Sequence, residues 1–280
     1  MTNPIRLLYL TAESWPTFRA DIVVLFGKCL PKHGVTSDLV TEETANTNDT
    51  PWQGGSSQLF QVPKSKIGSH LSKTWQSLRA VLRCKASEYD AIQVRDMPII
   101  ALFALLIAKV KGIPFFYWMS FPQSEGQIFR ARARGPKAGL RYIFPLVQGT
   151  LGKWVLYHWV MPWSQHVFVQ SDRMREDVAG YGIPFEKMTP VPMGVDIAAA
   201  QGDVITASND ERLRNKKVVV YLGTLDRARQ IELLFEMLAI ALKANPDILL
   251  VLVGDTEDIE HRNWLQNEAE RIGVNQSVLW

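Results

Sequence analysis

The sequence predicts an α/β protein whose parallel sheets form two halves. Short apolar runs alternate with longer segments of helical periodicity along the 280 residues, a pattern typical of parallel strands covered by helices. Residues 197–215 interrupt this alternation, since they are small, polar and charged, as expected of an interdomain linker. We therefore expect one domain over residues 1–196 and a second over residues 216–280.

The first half opens with Ile5–Thr11, an apolar run too short for a helix and typical of a buried parallel strand. Asp21–His33 has apolar residues at helical spacing and ends at Gly34. Val35–Thr41 is predicted as the next strand, and Asn46–Ser57 as a polar loop rich in Asn, Thr and Gly.

The alternation then continues to the linker. In order, we predict a basic amphipathic helix at His70–Ser87, a strand at Ala91–Arg95, an apolar helix at Pro98–Lys111, a strand at Phe115–Met119, an aromatic-rich helix over 137–161, a strand at His166–Gln170, a helix at Asp172–Tyr181 and a strand end at Thr189–Met193.

The second half repeats the pattern over a shorter length. We predict strands at Lys217–Leu222, Ile248–Val253 and Gln276–Trp280, and helices at Gln230–Ala244 and Glu260–Ile272. A doubly wound domain usually has about five or six strands. We therefore expect the second domain to be incomplete in this chain.

Composition excludes several classes of protein. With 47% hydrophobic and 21% charged residues, the chain does not have the composition of a disordered protein. Its two cysteines argue against a disulfide scaffold or a Cys-rich zinc site and fit a reducing cytosol. The start lacks the features of a signal peptide. The longest apolar run, Ile99–Ala108, is about half of the roughly 20 residues that a membrane span needs.

The distribution of charge is uneven. From Gly126 to Ser171 there is no Asp or Glu. The basic residues of this stretch are Arg130, Arg132, Arg134, Lys137, Arg141 and Lys153. Its aromatic residues include Tyr142, Phe144, Trp154, Tyr157, Trp159 and Trp163. Aromatic rings favour membrane interfaces and basic residues attract anionic lipid. We predict that Arg130, Arg132, Arg134, Lys137 and Arg141 face an anionic membrane, rather than nucleic acid, although several of the aromatics also suit a core.

Two turns of the second half are candidates for phosphate binding. Gly223–Arg229 lies between a strand and a helix, where backbone N–H groups favour phosphate and where Arg227 and Arg229 can add bidentate hydrogen bonds. The alternative is an ordinary turn with solvated arginines. At the next strand end, Val253–Thr256, Gly254 would let a ligand approach the backbone closely, and the alternative is a plain turn.

Tyr117–Glu125 is a candidate site for a hydroxyl-rich substrate in the first half. Ser120, Gln123 and Glu125 supply a hydroxyl, an amide and a carboxylate at the carboxyl end of a strand, and Glu125 is suited to general-base chemistry. Arg95 and Asp96 end the preceding strand at the same sheet edge. The alternatives are a polar loop and a local ion pair that caps the next helix.

Other catalytic patterns are absent. The five histidines lack metal-ligand spacing. No Walker A loop, Ser-His-Asp order or GxGxxG fingerprint occurs, and the missing fingerprint argues against a dinucleotide-dependent dehydrogenase.

Four segments together resemble the family 4 glycosyltransferases, which are retaining enzymes of the GT-B fold. They are the entry strand Ile5–Thr11, the run from His166 to Asp172 followed by Gly182-Ile-Pro, the Val191-Pro-Met-Gly-Val-Asp196 segment, and Val220-Tyr-Leu-Gly-Thr-Leu with Arg229 and Leu250-Val-Leu-Val-Gly-Asp255. The four segments occur in the order and at the spacing of the family, and together they extend over nearly the whole chain.

The resemblance implies a nucleotide-diphosphate sugar donor held mainly by the C-terminal domain through Gly223, Thr224, Arg227, Arg229 and Gly254. Arg229 stands where the family usually has a phosphate-binding lysine. Thr224 takes the usual arginine position, for which Arg227 is a substitute. The acceptor would bind the N-terminal domain, with Arg95, Ser120, Gln123 and Glu125 as candidates. The family normally needs no metal or other cofactor.

Three departures from the family pattern stand out. Arg19 and Ala20 replace the paired glycines of the first loop. The histidine usual after the strand Phe115–Met119 is missing, with Ser120 and Gln123 nearby instead. The Glu-x7-Glu region, which follows the strand that ends here at Trp280, is also missing. On this reading the donor domain is truncated.

The sequence thus predicts a hexosyltransferase that acts with retention on a polysaccharide, glycan or lipid-linked acceptor, cytoplasmic or peripheral on the inner membrane face. No catalytic residue is assigned. The first alternative is a truncated, non-catalytic homologue that binds only membrane or acceptor. The second is an α/β nucleotide-binding enzyme of another kind, such as a sugar epimerase.

Overall fold

The computed structural model describes residues 4–44, 50–63, 65–197, 209–256 and 258–280. The chain divides into two compact units, residues 1–200 and 201–280. Within the described residues, each unit is built on one parallel sheet with helices. The predicted α/β fold class is therefore confirmed.

The first unit contains a seven-stranded sheet in which every pairing is parallel. Its strands are β1 (Ile5–Thr11), β2 (Val35–Glu42), β3 (Ser57–Phe60), β4 (Ala91–Arg95), β5 (Phe115–Met119), β6 (His166–Val169) and β7 (Met188–Pro190). Their order is β3-β2-β1-β4-β5-β6-β7. The chain changes direction across the sheet between β1 and β4, and in such sheets ligands bind outside the carboxyl ends of the strands at this point.

Six helices connect these strands within the described residues. They are α1 (π-helical over Asp21–Cys29 and continued by Leu30–Lys32), α2 (Lys66–Arg83), α3 (Pro98–Lys111), α4 (Gln123–Arg134), α5 (Leu140–Val155, continued by Leu156–Val160 and Met161–Trp163) and α6 (Asp172–Ala179).

The central strand β1 shows how the sheet forms two cores. Its alternate residues point to opposite faces, as the pleat requires. Leu8 and Leu10 are buried in the core that includes α2, α3 and the continuation of α5. Leu7 and Tyr9 are buried on the other face, where the Tyr9 ring stacks on Phe26 of α1 with ring centroids 4.1 Å apart. Helices α2, α3 and α5 therefore cover the same face of the sheet.

Two glycines let α5 lie against the start of α4. A Cβ atom on Gly149 would be 2.7 Å from the Ser124 carbonyl oxygen, and one on Gly152 would be 2.8 Å from the Ser124 hydroxyl. Both distances are below van der Waals contact, so larger residues would separate the two helices. This close packing holds the α4 N-terminus at the carboxyl edge of the sheet.

The second unit contains a three-stranded parallel sheet in the order β10-β9-β8. Its elements are β8 (Lys217–Leu222), α7 (Glu232–Ala244), β9 (Ile248–Val253), α8 (Ile259–Ile272) and β10 (Val278–Leu279). Leu250 and Leu252 of β9 pack with Phe235 of α7 and Leu265 of α8 in one core. On β8, Val220 and Leu222 are exposed.

Several predicted elements differ from the structure. Two were missed: strand β3, which has four residues, and helix α4, which lies where a polar loop was expected. Helix α2 begins at Lys66 rather than His70, and α7 begins at Glu232 rather than Gln230. Residues 45–49 of the predicted loop and 198–208 of the predicted linker lie outside the described residues.

Candidate active site

A cleft of about 600 Å³ opens in the first unit at the carboxyl edge of its sheet. Strand ends supply Thr11, Thr41 and Glu42, helices supply most of the other lining residues, and Met97 from the loop after β4 also lines the cleft. The helical lining residues are Leu71, Lys73, Thr74, Ile99, Gln123, Gln127, Phe144 and Gln148, among others. The walls are thus largely apolar, with amides and hydroxyls spaced among the apolar groups. Its position is where this topology places a ligand.

The loop after β4 is fixed by an unusual backbone. Asp96 and Met97 have φ values of 60° and 53°, which are uncommon for residues other than glycine and cluster at functional sites. The Asp96 carboxylate accepts hydrogen bonds from the Ser120 N–H (3.0 Å) and the Ser120 hydroxyl (2.6 Å). Burial raises the pKa of Asp96. Ser120 therefore ties the ends of β4 and β5 together beside the cleft.

Arg95, which was predicted to bind the acceptor, is buried in a group of ion pairs. Its side chain is 1% exposed, and its guanidinium bonds to Asp21 (Nε to Oδ2, 2.7 Å) and to Asp96 (Nη1 to Oδ2, 3.3 Å). Arg95 is not among the residues that line the cleft. Its ion pairs with Asp21 and Asp96 hold the loops at the ends of β1 and β4 in place. A buried cation needs such carboxylate partners to offset its charge.

The two remaining acceptor candidates lie in the first turn of α4 but reach different cavities. Gln123 lines the cleft. Glu125 lines a second cavity of about 530 Å³, together with Tyr157 and Tyr181. Both Glu125 carboxylate oxygens are buried without a hydrogen-bond partner in the described part of the chain, and the Lys153 Nζ atom is 4.0 Å away. The four acceptor candidates share one sheet edge but do not form one site.

Sequence reasoning missed most of the polar residues of the cleft, among them Thr11, Thr41, Glu42 and Lys73. Thr11, Thr41 and Glu42 end β1 and β2, so the same rule that identified Ser120 applies to them. Lys73 on α2 forms an ion pair with Glu42 at the cleft. No pattern in the sequence links Lys73 to Glu42, because the contact depends on where α2 lies.

In the second unit, glycines bring two strand ends into contact. The Gly223 N–H donates to the Val253 carbonyl (3.0 Å). Gly254 has φ +147°, and a Cβ atom there would be 1.9 Å from the Gly223 carbonyl oxygen. Only glycine fits at this position. The two candidate turns therefore contact each other through their backbones.

The two arginines of this turn have different surroundings. Arg227 Nε lies 3.5 Å from the Asp258 carboxylate, whereas exposed Arg229 forms no ion pair with any residue that the structure describes. A short 3-10 turn, Arg227–Arg229, separates the strand end from α7. Thr224 is exposed beside them.

The five basic residues that were predicted to face a membrane are all exposed. Arg130, Arg132 and Arg134 lie on α4, and Lys137 and Arg141 follow it. None forms an ion pair within the described ranges. The aromatic residues of this stretch differ in exposure, since Tyr157 is buried and Trp154 is exposed.

Two features are absent from the described residues. These residues contain no group of three or more His, Cys, Asp or Glu side chains placed to hold a metal ion. Among the described helices, none combines the length and apolar character needed to cross a bilayer.

Comparison with known families identifies the first unit. A family described as glycosyl transferase 4-like domain matches residues 20–194. The chain belongs to this family. No curated protein matches the sequence significantly.

Solved structures share the fold at low sequence identity. HepE of Anabaena, in complex with UDP, superposes with a TM-score of 0.59 at 13% identity, over 98% of this chain and 68% of that one. The lipopolysaccharide outer core galactosyltransferase WaaB gives 0.56 at 16% identity, over 99% and 67%. A putative UDP-N-acetylglucosamine 2-epimerase from Listeria monocytogenes gives 0.53 at 11%, over 100% and 69%. The GT-B type of fold is thereby confirmed.

Proposed function

We propose that the protein is a hexosyltransferase that moves a sugar, with retention, from a nucleotide-diphosphate sugar to a polysaccharide, glycan or lipid-linked acceptor at the cytoplasmic face of the membrane. Membership of the glycosyl transferase 4-like family supports the transferase class. The structures of HepE with UDP and with UDP-glucose support the donor class.

The observation that carries this proposal is the turn of the second unit. Gly223 and Gly254 bring two adjacent strand ends into contact, and exposed Arg229, which has no ion-pair partner among the described residues, follows on the same edge. A diphosphate needs a cation at such a place, and an arginine can meet it with bidentate hydrogen bonds. Arg229 is the main contact, and Arg227 adds to it by leaving Asp258. These side chains, without a further cofactor, offset the charge of the diphosphate.

The acceptor binds the cleft of the first unit in this proposal. Gln123, Gln127 and Gln148 supply amides that suit sugar hydroxyls, and Thr11 adds a hydroxyl. The bond from the sugar to the diphosphate breaks as the acceptor oxygen bonds to the same face of the sugar. The acceptor's proton passes to the leaving diphosphate, so no protein base is assigned.

Two alternatives remain as outcomes of experiment. A non-catalytic homologue would bind membrane or acceptor but transfer nothing. An epimerase would alter the nucleotide sugar without an acceptor, and epimerases are among the proteins of similar fold.

Arg229→Ala should weaken UDP binding by roughly 1.5–3 kcal/mol, the typical value of a hydrogen bond to a charged group. The matched control is Arg271→Ala, which removes an exposed arginine that pairs with Glu268 near the far end of α8. Isothermal titration calorimetry with UDP measures both. Equal affinities of the two variants would remove Arg229 from the donor site.

A further inference from the structure

Helices α2, α3 and α5 share a composition that the function above does not explain. None of the three contains an Asp or a Glu. Each also exposes large apolar side chains at helical spacing, on the side away from the sheet. A water-facing helix surface normally carries charges of both signs. These three surfaces therefore resemble an interface more than a solvated exterior.

The exposed side chains form a stripe on each helix. On α3 the stripe is Ile99, Phe103, Leu106 and Val110, and on α2 it is Leu71, Trp75 and Leu82. On α5 it is Leu140, Ile143, Phe144, Val147, Leu151 and Trp154. The exposed fraction reaches 89% at Val110 and 81% at Leu140. Burying any one of these side chains would release substantial free energy.

The three stripes belong to one surface, which we call the apolar helix face. Helix α3 packs against both α2 and α5, and all three cover the same side of the sheet. A soluble monomer rarely exposes so many contiguous large apolar residues, and larger exposed patches mark an interaction site.

Charge indicates the kind of partner. Exposed cations border the apolar helix face, and they are Arg79, Arg83, Lys109, Arg130, Arg132, Arg134, Lys137 and Arg141. Apart from Glu125 in the first turn of α4, the helices that carry them lack carboxylates. Apolar residues flanked by cations complement an anionic lipid surface, which offers hydrocarbon and phosphate together.

The stripes also meet at the cleft. Leu71 of α2, Ile99 of α3 and Phe144 of α5 are exposed members of the three stripes, and all three line the cleft. The apolar helix face therefore continues into the cleft without a polar barrier at these positions.

We propose that the apolar helix face lies on an anionic bilayer and that the cleft receives the apolar chain of a lipid acceptor directly from it. The proposal that the apolar helix face docks on a bilayer does not depend on the proposed donor site. The assignment of a lipid acceptor rests on the proposed transferase function.

Cosedimentation with vesicles tests the docking. The vesicles contain phosphatidylcholine, either alone or with about one third phosphatidylglycerol. The test variant, V147Q/L151Q/W154Q, makes three exposed positions of α5 polar. The matched control, L233Q/M237Q/I240Q, changes three exposed apolar residues with the same spacing on α7 of the second unit. Glutamine is a good helix former, so both variants should fold, and circular dichroism verifies this.

The unchanged protein and the α7 control should bind the anionic vesicles equally, with little binding to phosphatidylcholine alone. The α5 variant should bind them at least about tenfold more weakly, and R130E/R132E/R134E should remove the preference for anionic lipid. Equal binding by the α5 variant and its control would overturn the proposal. The proposal would also be overturned if the unchanged protein were a dimer, and if the α5 variant were monomeric but bound vesicles as well as the unchanged protein does.

Titration with UDP separates this result from the proposed function. The α5 variant should bind UDP like the unchanged protein. If neither the unchanged protein nor the variants bind UDP, while vesicle binding is intact, the proposed transferase function is refuted and the docking surface is not. Transfer of labelled sugar only to acceptors without a lipid chain would refute the lipid acceptor.

Discussion

Replacing Arg95 with methionine is expected to lower the free energy of unfolding by about 3–5 kcal/mol, the cost of removing one partner from a buried ion pair. Methionine has a similar length but no charge, so Asp21 and Asp96 would be left buried without their cation. Urea denaturation followed by circular dichroism measures the loss.

Arg173→Met is the matched control for this prediction. Arg173 also pairs with two carboxylates, Glu176 and Asp177, but its side chain is 79% exposed. Exposed pairs contribute about 0–1 kcal/mol, so this variant should be nearly as stable as the unchanged protein. A similar loss in both variants would show that burial does not strengthen the dependence on Arg95.

Gly254→Ala is expected to disrupt the donor turn and to destabilise the second unit by about 3 kcal/mol or more. The added methyl group would meet the Gly223 carbonyl oxygen at 1.9 Å, and the backbone at φ +147° is itself strained for alanine. Strands β8 and β9 would have to separate at their carboxyl ends. UDP affinity should fall with this separation.

Gly273→Ala is the matched control, because it places an alanine at a positive φ without a steric contact. Gly273 follows α8 with φ +82°, and no atom lies within 4 Å of its added Cβ. The Gly273→Ala substitution should lower the free energy of unfolding by only about 1 kcal/mol. Hydrogen exchange at the amides of β8 and β9 should accelerate in Gly254→Ala alone. Unchanged exchange there would contradict the close contact of the strand ends.

The fold was accessible from the sequence where apolar runs are sharply bounded. Strand β4, helix α3 and strand β5 have the predicted limits, because glycine and proline separate strongly apolar segments. Helix α4 was missed because its sequence has few apolar residues and no side-chain cap. Its packing against Gly149 of α5 stabilises it instead.

The candidate site was accessible only in part. Polar residues at strand ends predicted a site at the carboxyl edge of the sheet, and strand-end residues line the cleft there. The burial of Arg95 depends on Asp21, which lies 74 positions earlier, and sequence reading cannot supply such a contact. The predicted basic stretch was one border of a larger surface, since the stripes of α2 and α3 join it only after folding.

Transfer of labelled sugar tests the central claim most directly. The protein is incubated with UDP-glucose, UDP-galactose or UDP-N-acetylglucosamine carrying 13C at the anomeric carbon, together with an extract of the lipids and glycans of its source cells. The account predicts that the label from one donor appears in the lipid or glycan fraction with the anomeric configuration of the donor. Label that stays in the nucleotide fraction, either unchanged or as an epimerised nucleotide sugar, would contradict it.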